Sequence, residues 1–248
     1  MATLNQPIQT DPFKLSRTKL ELFTECPYCF YINQRLGIKR PNTPGYTLNN
    51  AVDALLKKEC DGYRAQKQPH PIAVEYKLDA IPYQPNPADL LAIWRNNKQG
   101  IAFLHAPTNF LVYGAIDDIW VNLKGELIII DYKATSKKGE IVLDQEYHDA
   151  YRRQLDIYAW LFKMNGYPVH DKAYWIYCNG IKDGEIFGDC LHFKTVLIEH
   201  PVETAWIESK LIEAHHCLNQ PKPPVRTEEC QFCRYLNKAE NLTPKVTI

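Results

Sequence analysis

Two C-x2-C pairs, Cys26/Cys29 and Cys230/Cys233, stand about 200 residues apart in this 248-residue chain. Two such pairs have the spacing of one four-thiolate site. If they form one, the N- and C-terminal ends must meet, and closing so long a loop restricts the unfolded chain. The fold must then bring its C-terminal segment back to its first helices. The other cysteines, Cys60, Cys178, Cys190 and Cys217, lack paired spacing and read as buried small hydrophobes.

The N-terminus, MATLNQPIQTDPFKLS, lacks the apolar run of a signal peptide. No stretch approaches the ~20 apolar residues of a membrane helix. A cytoplasmic protein with no membrane partner is expected, and there the thiols stay reduced. The 29 basic and 29 acidic residues cancel, which argues against an electrostatic coat for DNA but not against a local basic groove. Apolar residues make up 45% of the chain, enough for the core of one large domain. The expected organisation is a loose N-terminus (1–13), one domain (14–236) and a tail (237–248).

A helical pattern starts at Leu15, with Ser16 as its N-cap. RPNTPGYT (40–47) breaks the chain, and a second helix is predicted over 47–65, with Leu48, Val52, Leu55 and Leu56 as its apolar positions. The Pro-rich stretch 68–98 predicts loops and short helices. Residues 109–121 and 125–133 read as strands joined by a tight turn at Asn122–Gly125. A long amphipathic helix is predicted over 145–165, strands over 172–179 and 191–198, and a helix near 202–219. The expected fold is α/β: a mixed central sheet flanked by helices.

The segment GAIDDIWVNLKGELIIIDYKATS carries the chemistry. Asp117 lies on one strand and Asp131 on the next, after the apolar run Leu127–Ile130. Period-2 alternation puts Asp131 and Lys133 on one face and Tyr132 on the other. A charged pair after an apolar run suggests a site at the exposed end of the strand. Two carboxylates can hold a hard divalent ion such as Mg²⁺ or Mn²⁺, which polarises a phosphate and activates water. A neighbouring lysine can orient that water and stabilise developing charge. These residues make Asp117 and Asp131 candidate metal ligands and Lys133 a candidate catalytic residue.

In order, this set resembles the PD-(D/E)XK nuclease superfamily, and specifically its RecB-like branch. LSRTKLELFTECPYCFYINQRLGI is similar to the opening helix of those nucleases, GAIDD to their G-x-x-D strand, and IIIDYKATS to their D/E-x-K strand. RRQLDIYAW is similar to their Q-x-x-x-Y helix, so the resemblance implies Gln154 and Tyr158 as active-site residues, one turn apart on one face. Where the branch often carries a histidine, NNAVDALLKKE has Asp53, an oxygen ligand suited to Mg²⁺. Glu59 is a weaker candidate. The resemblance implies a restriction-endonuclease-like core and a deoxyribonuclease acting on DNA ends or single strands; the alternative is a non-catalytic nucleic-acid- or partner-binding module that retains the nuclease fold. The branch includes nucleases of the AddB and CRISPR-adaptation type, whose chain ends are joined by an iron–sulfur staple. A [4Fe–4S] cluster is therefore preferred at the four cysteines, with structural zinc as the alternative. Those relatives use one N-terminal and three C-terminal cysteines, so the match is by location rather than spacing.

Basic residues at Lys14-Arg17-Lys19, Arg35-Lys39-Arg40, Lys133-Lys137-Lys138 and Arg152-Arg153 interleave in part with aromatics, as in grooves for single-stranded nucleic acid. Lys137 and Lys138, directly after the D-x-K strand, are the candidate phosphate contacts. The chain has no P-loop, so any ATP-driven unwinding calls for a helicase or repair partner.

Overall fold

The computed structural model describes residues 11–41, 45–141, 143, 148–184 and 186–242. The chain forms two compact units. One comprises Met1–Pro44, Leu104–Val112 and Ala205–Ile248, and the other Gly45–Phe103 and Tyr113–Thr204. Most of the expected loose N-terminus and the end of the tail lie outside the described residues, as do Gln145, Glu146 and Tyr147 of the expected helix 145–165. Among the described residues no helix is long and apolar enough to cross a membrane.

The first unit opens with β1 (Phe13–Ser16), α1 (Arg17–Glu25) and α2 (Pro27–Leu36). Ser16 caps α1 by accepting from the Lys19 N–H at 3.3 Å, as expected, although Leu15 itself is in the strand. Cys26 caps α2: its Sγ accepts from the Cys29 N–H at 3.4 Å, and Pro27 follows where its missing N–H costs nothing. Gly37 ends α2 in the left-handed region at φ 69°. The same unit holds α7 (Trp206–Leu218) and α8 (Gln231–Leu242). α7 packs on the first helices, and the Tyr31 hydroxyl donates to the Gln220 carbonyl at 3.0 Å. A three-stranded sheet has the order β1-β4-β3, with β3 at Ile101–His105 and β4 at Phe110–Gly114; the unit boundaries fall within β3 and β4.

The second unit is built on a five-stranded sheet of order β2-β5-β6-β7-β8. Its strands are β2 (Ala80–Pro82), β5 (Asp118–Asn122), β6 (Leu127–Thr135), β7 (Lys172–Gly180) and β8 (Phe193–Pro201). β5 and β6 pair antiparallel across the expected turn, where Gly125 takes φ 78° and Asn122 Oδ1 accepts from the Lys124 and Glu126 N–H groups, each at 3.0 Å. β6 and β7 pair in parallel, as the crossover through α6 (Asp149–Met164) requires. Alternation along β6 divides its side chains. Ile128, Ile130 and Tyr132 join the cluster containing Leu56 and Cys60 of α3 (Thr47–Gln66), while Lys133 on the other face reaches α6. The α/β expectation of a mixed sheet flanked by helices holds.

Several expectations are corrected. The stretch 109–121 is not one strand: β4 ends at Gly114, β5 begins at Asp118, and they belong to different sheets. Asp117 therefore precedes β5 instead of lying in a strand. The link between them is held by other partners. The Ile116 N–H donates to the Trp94 carbonyl at 3.0 Å, and Arg95 Nε donates to the Asp117 carbonyl at 2.9 Å. Gly100, at φ 64°, lies so close that an added Cβ would meet the Gly114 oxygen at 2.3 Å. The stretch 68–98 contains the short helices α4 (Pro71–Glu75) and α5 (Leu90–Trp94), but also β2, an edge strand too short to show periodicity. On α3, Val52 and Leu56 pack, but Leu48 and Leu55 are exposed. Cys60, Cys178 and Cys217 are buried as expected, whereas Cys190 is exposed because it lies in the β7–β8 connection and not on a core-facing element.

Candidate active site

A cleft of about 720 Å³ opens in the second unit, and its walls include Asp53, Lys57, Arg95, Asp117, Lys133 and Tyr151. α3 supplies Asp53 and Lys57, one turn apart on the same face. The Lys57 ammonium lies 2.9 Å from Asp53 and 3.2 Å from Asp117. The other Asp117 oxygen accepts from the Tyr132 N–H at 3.0 Å. β6 supplies Asp131 and Lys133, whose side chains form an ion pair. Asp131 is fully buried, so the expectation of a site at an exposed strand end is corrected. β6 runs on to Thr135, which leaves Asp131 within the strand.

Lys133 is the junction of the site. Its ammonium donates to Gln154 Oε1 at 3.3 Å, and Gln154 Nε2 donates to the Tyr158 hydroxyl at 3.2 Å. It also lies 4.7 Å from the centre of the Tyr151 ring, within cation–π range. Asp131, Lys133, Gln154 and Tyr158 thus form one connected run, with Asp117 beside it. Lys137 and Lys138 lie beyond the end of β6 with exposed side chains, and a pair of hydrogen bonds between Asn179 and the Lys137 backbone holds that segment. Glu59 is half exposed, pairs with His70 at 3.3 Å and does not line the cleft.

The charges support one another. Burial works against the Asp117 carboxylate, but Lys57, then Lys133, and the Tyr132 N–H hold its pKa below the ordinary value. Burial and the nearby Asp117 charge raise the pKa of Asp53. Burial opposes the Lys133 charge, but Asp131 and then Asp117 outweigh it, and Lys133 stays protonated to higher pH than a free lysine.

Sequence patterns do not reveal the support beneath Asp117. Adjacent Asp118 is fully buried and paired with Arg64 and Arg95, and it accepts from the Tyr132 hydroxyl at 2.8 Å. Arg95 also donates to both Asp61 oxygens at 2.9 Å. Two neighbouring aspartates therefore differ: Asp117 faces the cleft and Asp118 anchors its backbone. Lys57 was missed as well, and the one available signal was its i+4 spacing from Asp53.

The donor chemistry suits a hard divalent ion at Asp53 and Asp117, while Asp131 is paired with Lys133. All three candidates are carboxylates, and two of them, Asp53 and Asp117, lie within reach of a single cation, as the Lys57 ammonium demonstrates.

In the first unit, the sulfurs of Cys26, Cys29, Cys230 and Cys233 all lie within 4.8 Å of one another. The closest separations are 3.6 Å for Cys26–Cys233, 3.7 Å for Cys29–Cys230 and 3.9 Å for Cys29–Cys233. All four cysteines are buried, with Leu22, Tyr28 and Phe232 packed around them. Arg40 reaches Cys230 Sγ at 3.5 Å and stacks over Phe232. Burial opposes the Cys230 thiolate, but hydrogen bonds from the Cys233 backbone and from the other three thiols outweigh it and lower its pKa to about 7. Burial pushes the Cys29 thiol up to about 11. The four-cysteine cluster could therefore hold a metal, and it joins the two ends of the chain.

Residues 14–237 match the model of the PD-(D/E)XK nuclease superfamily, and the chain belongs to that superfamily. Its members are usually hydrolytic nucleases that use divalent metals. Among solved structures, the chain is similar to the crystal structure of SSO0001, at 16% identity and a TM-score of 0.42 over 97% of this chain and 90% of that one. No curated protein matches the sequence.

Proposed function

We propose that the protein is a Mg²⁺- or Mn²⁺-dependent deoxyribonuclease of the RecB-like branch, acting on DNA ends or single strands, as an exonuclease or an end-directed nuclease. The observation that carries this reading is the connected run from Asp131 through Lys133 and Gln154 to Tyr158, with Asp117 alongside. Ordinary surface charges on a hairpin would not draw a glutamine and a buried tyrosine from α6 into one hydrogen-bonded series.

Asp53, Asp117 and Asp131 act as the metal ligands. A divalent ion bound there supplies Lewis acidity toward a phosphate and the attacking water. Lys133 orients that water and stabilises charge on the phosphoryl oxygens. Gln154 fixes the Lys133 ammonium, and Tyr158 fixes Gln154. Lys137 and Lys138 contact backbone phosphates. A helicase or repair partner supplies unwinding where duplex must be opened.

The test is cleavage of single-stranded, double-stranded and end-blocked DNA with Mg²⁺ or Mn²⁺. Asp131→Ala or Lys133→Ala protein that cuts as fast as wild type would refute the reading.

The four cysteines form a structural centre; their location in the N- and C-terminal regions is the ground for a [4Fe–4S] cluster, although sulfurs all within 4.8 Å of one another are closer than the corners of an iron–sulfur cube place them. A specific observation favours zinc as the second reading. Sulfur separations of 3.6–3.9 Å match the ~3.8 Å edge of a tetrahedron with Zn–S bonds of ~2.3 Å. Anaerobic purification separates the two. Brown protein with broad absorption near ~400 nm and bound iron supports the cluster. Colourless protein with stoichiometric zinc replaces it.

A further inference from the structure

Lys57 holds a position that the nuclease reading does not use. Its ammonium contacts Asp53 at 2.9 Å and Asp117 at 3.2 Å. The contact with Asp53 alone would be an ordinary i,i+4 helix pair. Asp117 comes from a different element, the link before β5, so the ammonium is clamped between two carboxylates on the cleft wall. Around the cleft the carboxylates of Asp53, Asp117 and Asp131 meet the ammonium groups of Lys57 and Lys133, and the Arg95 guanidinium lies against the Asp117 backbone and pairs with Asp61 and Asp118.

We propose that Lys57 is the internal counter-ion of the metal centre: it draws Asp53 and Asp117 together, and a divalent ion takes their oxygens by displacing it. The proposal rests on the reading of Asp53 and Asp117 as metal ligands. Two carboxylates brought close repel each other, and a cation between them removes that repulsion and preforms the pair. The same oxygens cannot serve both cations, because Mg²⁺ needs contacts of ~2.0–2.1 Å and fills the space an ammonium occupies. Lysine suits the part because its compact charge sits on a flexible stem that can swing aside. Displacing that charge makes metal binding weaker than the bare carboxylates would allow, and this tunes the site to release as well as to bind.

The test is calorimetric titration of the full chain with Mn²⁺, comparing wild type with Lys57→Gln, Lys57→Met, Lys57→Arg and Asp117→Asn. Lys57→Gln and Lys57→Met should bind Mn²⁺ on the order of tenfold more tightly, since a repelling cation is gone. Without added metal, both should melt below wild type, and saturating Mn²⁺ should close that gap. Lys57→Arg keeps the charge and should stay near the wild-type affinity. Lys57→Gln and Lys57→Met proteins that fold but bind Mn²⁺ no more tightly than wild type overturn the proposal. The Asp117→Asn arm tells the two failures apart. If Asp117→Asn binds Mn²⁺ like wild type, the carboxylate site itself is refuted. If it loses binding and the Lys57 variants gain none, only the role of Lys57 falls.

Discussion

The carboxylate cleft and the four-cysteine centre both gather candidate metal ligands from distant parts of the sequence, yet they are built on opposite principles. At the cleft the donors are hard oxygens, two of the three candidate ligands line an open wall, and lysines stand among them as counter-ions. At the cysteine centre the donors are soft sulfurs, all four are buried, and aromatic rings and Arg40 close around them. An open oxygen site leaves room for substrate and water, as catalysis needs. A closed four-thiolate site leaves no free position, as structure needs. On the proposed reading, the cleft would take an exchangeable metal and the cysteine centre a resident one.

The largest expected effect separates the two by activity. Asp131→Ala and Lys133→Ala should each slow DNA cleavage by ~10³-fold, the scale of losing a metal ligand or a charge-stabilising donor, with the metal content of the cysteine centre unchanged. Cleavage rates and metal analysis of the same samples check this. A fall in bound iron or zinc in these variants would break the contrast.

The next effect is on stability. Replacing Cys26 and Cys233 together by serine should remove the bound iron or zinc and lower the melting temperature markedly, because the binding energy of a structural metal is also folding energy. EDTA should stop cleavage by the wild type and leave the thiolate-held metal in place. Rapid loss of both metals to the chelator would make the two sites alike.

A smaller effect tests the hydrogen-bonded run behind the lysine. Gln154→Ala should lower kcat about tenfold, equivalent to ~1.4 kcal/mol, through loss of Lys133 positioning. An unchanged kcat would reduce Gln154 to helix packing. The smallest effects are expected where apolar-looking residues proved exposed. Leu55→Ser and Cys190→Ser should each shift stability by no more than ~0.5 kcal/mol, measured by denaturant unfolding. A large loss at either position would show that it packs after all.

Much of the candidate site was legible in sequence. Asp131 and Lys133 are marked by their short spacing along β6, and Asp117 by its place just before β5, which the Asn122–Gly125 turn pairs with β6. Gln154 and Tyr158 share a helix face at i,i+4, so their adjacency is local as well. Lys57 obeys the same spacing from Asp53, but its second partner, Asp117, is 60 positions away. Arg95 had no signal: it follows the five-residue helix α5 in a Pro-rich stretch and acts on a backbone carbonyl.

The two cysteine pairs show where the division lies. The sequence by itself determined which residues pair locally: the C-x2-C turns, the hairpin, the two faces of β6, the shared face of Gln154 and Tyr158, and the superfamily those patterns mark. Such features depend on backbone periodicity over a few residues, which a sequence displays directly. Only the tertiary structure decided that the four sulfurs converge, that β4 and β5 part into different sheets, and that Asp118 is an anchor while Asp117 faces the cleft. Those outcomes depend on partners such as Trp94, Arg95 and Arg64, which lie far along the chain and come into range only once the core has packed.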